Sequence, residues 1–497
     1  MKILLINPRI SILKNDYLGS GVPYWPIEAA TFVSFLKNRN EHCEVIDLFG
    51  SAVRGIEVME SHFLQGQNID SPQWIKKLEL ADCFIIFAIS FMSHKEVLNI
   101  SRFLRNKYPN KRILILENSQ AVTAYAIDLL ANEFFPAGVD ALICGEPYLE
   151  WNKIKKFIEM GAIETENIEC LLHPNKSSRV IRTIKPLQKY PIPAWEDFPF
   201  ENYWSLPYSH GPKRGKFLQI LTSRGCPYPC DFCVIPELNS RRWRANEPKH
   251  VVEEIMYLKS TFSVNHFQIE DVNPTVSHDR WEEICTLLIE ENANIEYSFV
   301  SGTKSETISI ESIPLFAESG CKYISISPES GSEFVMKRIG KKFDKEHGIA
   351  LVREARLNGI RTQACFLVGH PSESRKDFKE TKKYLKKLIY AGLDETAIFI
   401  VSAFAGSKIY KNNEIKSNGL NMISTFSPKN RKNYFTLSMR RNELIFYFFL
   451  HKIFKDNEIW KSAYRSLFAR PETKMENLPK RIFFIQRIIK DNSNRAK

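Results

Sequence analysis

The sequence predicts an α/β protein with three parts in order: a doubly wound, Rossmann-like parallel sheet, a partial (β/α)6, TIM-like barrel, and a basic helical C-terminal region. Short apolar strands alternate with helical stretches over the first 150 residues, and six more strand and helix units follow over 216–403. The length of 497 residues suits about three domains, and 44% hydrophobic with 25% charged residues excludes a disordered or fibrous chain. We expect domains at 1–185, 216–403 and 404–497, joined by a linker at 186–215 that is rich in proline and aromatic residues.

In the N-terminal domain, short apolar runs predict strands at 3–6, 43–48, 84–90, 113–116 and 141–144. Apolar residues at helical spacing predict helices near 27–37, 96–107 and 121–131. This order predicts a doubly wound parallel sheet. A polar hairpin is expected around 168–184.

The second alternation predicts barrel strands at 217–222, 266–270, 296–300, 322–327, 362–368 and 396–402. The intervening helices are predicted near 251–259, 279–290, 311–318, 332–339, 347–357 and 376–390. Active sites of parallel barrels lie at the C-terminal ends of the strands, so residues directly after these strands are the site candidates.

The net charge of +12 is concentrated in the last fifth of the chain. Residues 407–497 hold 20 Lys and Arg against 7 Asp and Glu, whereas the first 406 residues hold 49 against 50. The segments 442–454 and 481–490 mix these charges with aromatic or aliphatic residues. One interpretation is a helical subdomain that packs its aromatics on the barrel. The other is an interfacial surface that makes peripheral contact with anionic lipid or binds an acidic partner.

No nucleic-acid reader motif occurs, so no nucleic acid is expected. The longest unbroken apolar runs, at 83–89 and 444–450, have seven residues each, far fewer than the roughly 18 that cross a bilayer. The first ten residues contain no signal-peptide pattern, so a cytoplasmic location is expected. In that reducing compartment the ten cysteines are better interpreted as buried residues, metal ligands or catalytic thiols than as disulfides.

Three cysteines are clustered, Cys226, Cys230 and Cys233, spaced x3 and then x2, directly after the first barrel strand. A loop at this position can wrap three thiolates around one metal centre. Three ligands on a [4Fe-4S] cluster leave the fourth iron open to a substrate or cofactor. A zinc site and chance are the alternatives, although structural zinc normally takes four ligands and no further His or Cys follows at suitable spacing.

This loop, with the aromatic Phe232 before its last cysteine, resembles the radical S-adenosylmethionine (SAM) superfamily over roughly residues 216–403. The resemblance implies that Cys226, Cys230 and Cys233 hold a [4Fe-4S] cluster whose open iron chelates SAM. It also implies that SAM is cleaved reductively to a 5′-deoxyadenosyl radical, with an electron donor such as flavodoxin or ferredoxin.

The same resemblance suggests the residues that contact SAM. Phe232 is expected beside the adenine, and Glu270 and Asp271, which end the second strand, are suited to the ammonium or ribose hydroxyls. Glu329 and Ser330 match the family's Glu-Ser-Gly-Ser stretch, and Gly369 matches its glycine and proline turn near the adenine. The alternatives are a helix N-cap pair for Glu270 and Asp271 and ordinary turns for the others.

The N-terminal half resembles the cobalamin-binding domain that precedes the barrel in one branch of this superfamily. The residues expected at the cobalamin crevice are Ser90, Glu117, Asn118 and Gly145, at the ends of strands. Two departures weaken the resemblance. The first is that no Asp-x-His-x-x-Gly stretch follows the first strand. The second is that Glu117-Asn118 stands where the family has Gly-Gly. Glycine there lets the backbone approach the nucleotide tail of the cofactor, and two side chains would close that pocket.

The sequence therefore predicts a radical SAM enzyme that carries out cobalamin-linked methylation, or another radical modification, at an unactivated carbon of a small-molecule or lipid-like substrate. A first alternative is a radical SAM enzyme whose N-terminal domain no longer binds cobalamin. A second is a non-enzymatic, metal-stabilised binding protein with zinc in the cysteine loop. No catalytic acid, base or radical relay is assigned.

Overall fold

A computed structural model describes residues 1–14, 16, 19–160, 168–175, 180–182, 189–415, 431–455 and 458–495. Within its described residues the N-terminal unit contains nine strands and six α-helices: β1 (Lys2–Asn7), β2 (Ile10–Leu13), α1 (Ile27–Lys37), β3 (His42–Asp47), α2 (Leu48–Ser51), β4 (Ile56–Val58), β5 (His62–Gln65), α3 (Pro72–Leu80), β6 (Cys83–Ala88), α4 (His94–Lys107), β7 (Arg112–Glu117), α5 (Ala131–Phe134), β8 (Ala141–Ile143), α6 (Trp151–Met160) and β9 (Leu171–Leu172).

The main sheet has the order β3-β1-β6-β7-β8-β9, parallel except for β9. Helices cover both faces, so its central strands are continuously apolar, and every residue of β6 is buried. The doubly wound prediction is confirmed, and each of the five predicted strands lies within two residues of its predicted bounds.

The prediction of a helix over 121–131 is wrong. This stretch forms turns and a short 3₁₀ helix at Ile127–Leu130. Its backbone N–H groups form hydrogen bonds with other parts of the chain. Ala126 N donates to the carbonyl of Ala405 at 2.9 Å, and Ile127 N donates to the Glu117 carboxylate at 3.1 Å. These tertiary bonds replace the helical ones.

Two further differences concern strands. The sequence did not predict the three-stranded antiparallel sheet β2-β5-β4 beside the main sheet. Within the predicted hairpin at 168–184, β9 pairs with β8, while residues 176–179 and 183–184 lie outside the described residues. The predicted domain boundary at 185 lies outside them as well.

The linker contains α7 (Phe200–Ser205), and the barrel unit follows it. The elements of the barrel unit are β10 (Leu218–Ile220), β11 (Ser223–Arg224), α8 (Ile235–Leu238), β12 (Arg244–Ala245), α9 (Pro248–Phe262), β13 (His266–Ile269), α10 (His278–Glu290), β14 (Glu296–Thr303), α11 (Ile313–Glu318), β15 (Cys321–Glu329), α12 (Glu333–Ile339), α13 (Lys345–Leu357), β16 (Arg361–Val368), α14 (Arg375–Ala391) and β17 (Glu395–Ile400).

The barrel strands pair in the order β10-β13-β14-β15-β16-β17, all parallel, and β10 does not pair with β17. All six predicted strands and the six predicted helices between them are present. The sheet is therefore an open, partial barrel as predicted.

The C-terminal region contains α15 (Lys408–Lys411), α16 (Tyr434–Lys455), α17 (Glu458–Phe468) and α18 (Leu478–Arg495). Helix α16 packs beside α14 and over β17, and α18 contacts β4 of the N-terminal unit. The predicted packing of aromatics on the barrel is only partly correct. Phe448 is buried, but Phe446 and Phe454 are 68% and 80% exposed.

The two α/β units share one hydrophobic core, with the linker in the seam between them. Trp25 of the first unit contacts Trp195 and Tyr203 of the linker and Phe217 of the barrel, with ring centroids 5.0–5.2 Å apart. Tyr203 also donates to the buried carboxylate of Asp47 at 2.7 Å. The linker thus packs between the two units and holds them in a fixed relative position.

Among the described residues, no helix combines the length and apolar character needed to cross a membrane.

Candidate functional site

The C-terminal ends of the two sheets face each other. Gln120, after β7, accepts a hydrogen bond from Gly225 N at 2.9 Å, and Ser119 accepts one from the Asn239 side chain at 2.9 Å. A buried ion pair of 2.9 Å joins Glu28 of α1 to Arg224. These contacts hold the loop after β10 beside the N-terminal unit.

The cysteine loop begins at Gly225, whose φ is +78°. A Cβ at this position would lie 2.1 Å from the carbonyl of Arg242, so only glycine fits. The loop is then held from both sides, because Asp231 N donates to Ile339 O at 3.0 Å and Ile409 N donates to Asp231 O at 3.1 Å. His370 Nε2 lies 2.9 Å from the Asp231 carboxylate. The loop is therefore fixed by α12, α15 and the turn after β16.

Cys226, Cys230 and Cys233 are all half-buried free thiols that line one cavity of about 260 Å³ at the mouth of the barrel. The structure brings together the cysteines and two of the residues predicted to contact SAM, Phe232 and Glu329. The other lining side chains include Tyr24, Val122, His210, Asn273, Ser325, Lys341, Gln363, Cys365, Phe404 and Lys474.

The chemistry of the thiols favours a multinuclear metal centre. Burial raises the pKa of Cys230 to about 12, and burial together with the other two sulfurs raises the pKa of Cys233. The thiolates therefore form only where a bound cation compensates their charge. The donor set fits a [4Fe-4S] cluster, in which each thiolate binds a different iron.

A single zinc ion fits this loop less well, since it would need sulfurs roughly 3.8 Å apart. Among the described residues, no three His, Cys, Asp or Glu side chains are grouped closely enough to hold one metal ion.

Glu329 ends β15 with a φ of +60°, a strained conformation for a residue with a side chain. Its carboxylate pairs with Lys341, with Nζ 2.8 Å from Oε1, and both side chains are 7% exposed. Burial raises the pKa of Glu329, and the Lys341 ammonium opposes that shift. Lys341, which the sequence analysis did not identify, also donates to Ser327 Oγ at 2.9 Å. The strained turn thus holds an ion pair at the wall of the cavity.

Glu270 lies at the end of β13 and binds His210, with the carboxylate Oε2 2.7 Å from the ring Nδ1. Its other oxygen, Oε1, is buried and has no hydrogen-bond partner among the described residues. An orphaned carboxylate oxygen fits a donor on a bound ligand, such as the ammonium or hydroxyl groups of SAM. Burial lowers the pKa of His210, against the opposing effect of Glu270. The sequence analysis missed His210 because it lies in the irregular linker.

Lys474 reaches the cavity from the C-terminal region. Its backbone N–H and that of Met475 donate to the Glu395 carboxylate at 3.2 and 2.6 Å, and its Nζ donates to Val300 O at 2.6 Å. Burial lowers the pKa of the Lys474 ammonium. No sequence pattern joins Lys474 to the barrel, because the contact forms between distant parts of the chain.

Four predicted SAM residues are not among those that line the cavity. Glu270, described above, lines a neighbouring pocket instead. Asp271 accepts hydrogen bonds from Thr222 N, Thr222 Oγ1 and Ser223 Oγ at 2.5–2.8 Å, which holds the loop after β10. The Ser330 hydroxyl contacts Thr381 Oγ1 at 3.1 Å. Gly369, with a φ of +80°, faces the C-terminal region, where a Cβ would lie 2.6 Å from Leu437.

The predicted cobalamin crevice contains an ion pair between Arg182 and Glu117. Two hydrogen bonds of 2.8 Å join the guanidinium to the Glu117 carboxylate, and a third of 2.6 Å joins it to Asp128. A Cβ at Gly145 would lie 3.3 Å from Arg182 Cβ. The Arg182 side chain thus fills the space beside Gly145, and a cofactor tail fits there only after Arg182 leaves.

The other two crevice residues have local roles. Ser90 Oγ accepts from Met92 N at 3.2 Å as a helix cap, and Asn118 donates to Ile89 O at 2.8 Å. Arg182 was missed by the sequence analysis because no residue spacing relates it to Glu117.

The family model described as "Radical SAM superfamily" matches residues 220–385, which include all three cysteines and the four barrel strands β13 to β16. Residues 220–385 form a radical SAM domain. This finding confirms the predicted superfamily and enzyme class.

The similarity to characterised relatives extends beyond the radical SAM domain. The chain is 24% identical over 456 residues to the cytidylyl-2-hydroxyethylphosphonate methyltransferase of Streptomyces wedmorensis, covering 82% of this chain and 81% of that protein. It is 26% identical over 332 residues to the anaerobic magnesium-protoporphyrin IX monomethyl ester cyclase of Synechocystis sp., covering 65% and 62%.

Two solved structures share the architecture of the radical SAM domain and its N-terminal partner. OxsB, a cobalamin-dependent SAM radical enzyme with aqua-cobalamin and SAM bound, aligns with a TM-score of 0.65 at 15% identity, over 99% of this chain and 80% of that one. The radical SAM methyltransferase TsrM from Kitasatospora setae, with cobalamin and a [4Fe-4S] cluster bound, aligns with a TM-score of 0.60 at 14% identity, over 82% and 74%. These likenesses confirm the predicted fold class.

Proposed function

We propose that this protein cleaves SAM reductively with a [4Fe-4S] cluster and uses the reaction for cobalamin-linked methylation, or another radical modification, at an unactivated carbon. The observation that carries the proposal is the convergence of Cys226, Cys230 and Cys233 on one cavity at the mouth of a parallel barrel. Relatives named as methyltransferases, and two cobalamin-dependent structures of the same fold, support the methylation arm.

The chain's own residues have separate roles in this proposal. The three cysteines hold the cluster, which when bound supplies the electron that cleaves SAM and an open iron that chelates it. Phe232, which lines the cavity, lies against the adenine. Glu270 lines a neighbouring pocket, and its free oxygen accepts a hydrogen bond from an ammonium or hydroxyl group of SAM. The buried pair of Glu329 and Lys341 keeps the wall beside Cys230 rigid.

Further polar groups that line the cavity suit the substrate. His210, Gln363 and Lys474 present hydrogen-bonding groups there, and Val300, Leu367 and Phe399 add apolar surface. We propose a small-molecule or lipid-like substrate with at least one polar group. We also propose that the enzyme works in the cytoplasm, receives its electron from a flavodoxin or ferredoxin, and contacts membranes only peripherally.

Cobalamin would supply a methyl carrier in the methylation arm, and the interface between the two units would hold it. Because Arg182 fills the tail crevice, a radical SAM enzyme without cobalamin is a second candidate function, and the ion pair between Glu117 and Arg182 favours it.

Anaerobic reconstitution with iron and sulfide tests the proposal. We expect about four irons per chain and formation of 5′-deoxyadenosine from SAM under dithionite. Reconstitution in the presence of hydroxocobalamin separates the two candidates, since a corrinoid spectrum retained after gel filtration selects the first and its absence selects the second. Stoichiometric zinc without SAM cleavage would contradict both.

A further inference from the structure

Helix α16 is apolar on two opposite sides. One side packs on the barrel and buries Leu437, Leu444 and Phe448, which are at most 5% exposed. The other side carries Phe435, Met439, Phe446, Leu450 and Ile453, with exposed fractions of 77%, 60%, 68%, 39% and 49%. Their spacing of three, four or seven residues places them in a single line along the helix. We call this line the apolar stripe.

Helix α17 continues this pattern. Trp460, Tyr464, Leu467 and Phe468 are 54–74% exposed and are again three or four residues apart along one side of the helix. Soluble monomers rarely expose contiguous apolar surface of this extent unless it binds something. None of the described residues covers the apolar stripe.

Helix α14, which packs beside α16, has a strongly basic outer side. Lys376, Lys379, Lys383, Lys386 and Lys387 are all exposed. Of the two acidic residues in α14, Asp377 is buried and bonded to Ser332 and Ser374. The outer side of α14 is therefore cationic.

The seam between the two helices brings the lysines next to the apolar stripe. Lys382 Nζ lies 2.6 Å from the Glu443 carboxylate and 4.7 Å from the ring centroid of Tyr447. Tyr390 is contacted by Lys386 from α14 and by Lys455 from α16, at 5.6 and 5.5 Å. An apolar stripe flanked by lysines and tyrosines is typical of helices that lie in the headgroup interface of an anionic bilayer.

We propose that the outer sides of α14 and α16 form a docking face for an anionic lipid surface. The apolar stripe enters the boundary between headgroups and acyl chains, and the α14 lysines bind acidic headgroups. A second copy of the chain fits this face poorly, because a symmetric pairing would set the lysines of one copy against those of the other.

The docking face also defines an orientation. At one end of α16, Arg431 donates to the carbonyls of Gly369 and Val401 at the barrel mouth; at the other, Lys452 donates to Leu393 O below β17 at 2.6 Å. The stripe therefore runs the full height of the barrel, and docking along it lays the barrel axis parallel to the membrane. This inference does not depend on the proposed reaction.

Co-sedimentation of the full chain with vesicles tests the docking face. We expect the protein to sediment with vesicles of equimolar phosphatidylcholine and phosphatidylglycerol, to stay in solution with phosphatidylcholine alone, and to be released by high salt. F446S/L450S should weaken binding at least roughly tenfold through lost apolar burial. F483S removes an aromatic that is 67% exposed on α18, away from the face, and should bind like the wild type.

A charge-matched pair tests the lysines. K379E/K383E should weaken binding by at least about fivefold per lysine. K95E/R102E makes the same change in net charge on the exposed side of α4 and should have little effect. Equal losses in both variants would show that only net charge matters and would overturn the docking face.

Two other outcomes overturn the proposal. One is wild-type protein that cleaves SAM but stays in solution with anionic vesicles. The other is a dimer, seen by sedimentation velocity, that F446S/L450S dissociates, because the stripe would then be an interface between two copies.

Discussion

The guanidinium of Arg182 donates two hydrogen bonds of 2.8 Å to the carboxylate of Glu117, with both side chains at most 7% exposed. Glu117 ends β7, at the place where the resemblance to the cobalamin-binding domain leads us to expect a glycine pair. Glu117 is thus part of a buried ion cluster with Arg182 and Asp128, whereas Asn118 donates to Ile89 O outside it.

Opening this crevice should raise cobalamin affinity while lowering stability. R182A leaves two carboxylates without their cation, so we expect a loss of about 3–5 kcal/mol in the free energy of unfolding by urea. The triple variant E117G/N118G/R182A should recover part of that stability and bind hydroxocobalamin more tightly in an absorbance titration. R112A, at a half-exposed ion pair in the same domain, is the control and should change neither quantity by much. Equal cobalamin affinity in all variants would show that the crevice is not the binding site.

The cluster should depend on each of the three loop cysteines. C230A should abolish iron and sulfide loading and the production of 5′-deoxyadenosine, with an unchanged circular dichroism spectrum, because the loop is held by backbone hydrogen bonds on both sides. C365S, which alters a fourth thiol in the same cavity, should load iron normally. Retention of the cluster in C230A would refute the ligand assignment.

Glu270 and Asp271 are neighbours with different expected roles. E270Q should weaken SAM binding roughly tenfold, since the orphaned oxygen loses its charge, while the cluster loads fully. D271N should mainly lower stability, because its carboxylate accepts three hydrogen bonds from Thr222 and Ser223. Equilibrium dialysis with SAM and urea unfolding measure the two effects. A D271N variant that loses SAM affinity but not stability would reverse these assignments.

Glu254 should make stability depend on pH. Burial in α9 raises the pKa of Glu254 to about 8. The folded state therefore holds the proton more tightly than the unfolded state, and the resulting stability is fully present below about pH 4.5 and lost as the pH rises through 8. In the wild type this group should change the free energy of unfolding by up to about 1.4 kcal/mol per pH unit, and E254Q should lack that change. E254Q should therefore be more stable than the wild type at pH 8. E253Q, one residue away and 51% exposed, should follow the wild-type profile. Parallel profiles for wild type and E254Q would contradict the shift.

Glu395 should be a strong anchor for the C-terminal region. Its carboxylate accepts hydrogen bonds from Tyr323 Oη and from the backbone of Lys474 and Met475. E395A leaves these buried donors unpaired, so we expect a loss of about 2–4 kcal/mol and faster proteolysis after residue 470. E443A breaks a half-exposed ion pair with Lys382 and should cost at most about 1 kcal/mol. Unchanged proteolysis in E395A would show that other contacts hold this segment.

The sequence by itself determined both parallel sheets and the cysteine loop. Local apolar runs and helical spacing are properties of short segments, so the sequence predicted the five parallel strands of the main N-terminal sheet and the six barrel strands. It also predicted that Cys226, Cys230 and Cys233 follow the first barrel strand. Only the tertiary structure decided that residues 121–131 form turns and not the predicted helix. Their backbone N–H groups donate to the Glu117 carboxylate and to the carbonyl of Ala405.

The same distinction applies within the site. Phe232 and Glu329 line the cavity and Glu270 lines a neighbouring pocket, whereas Asp271, Ser330 and Gly369 contact other parts of the chain. Arg182, His210, Lys341 and Lys474 form ion pairs or hydrogen bonds at the two sites that no spacing rule relates to their partners. Side chains that are distant in sequence converge only when the chain packs, and their convergence decides which predicted residues face the cavity.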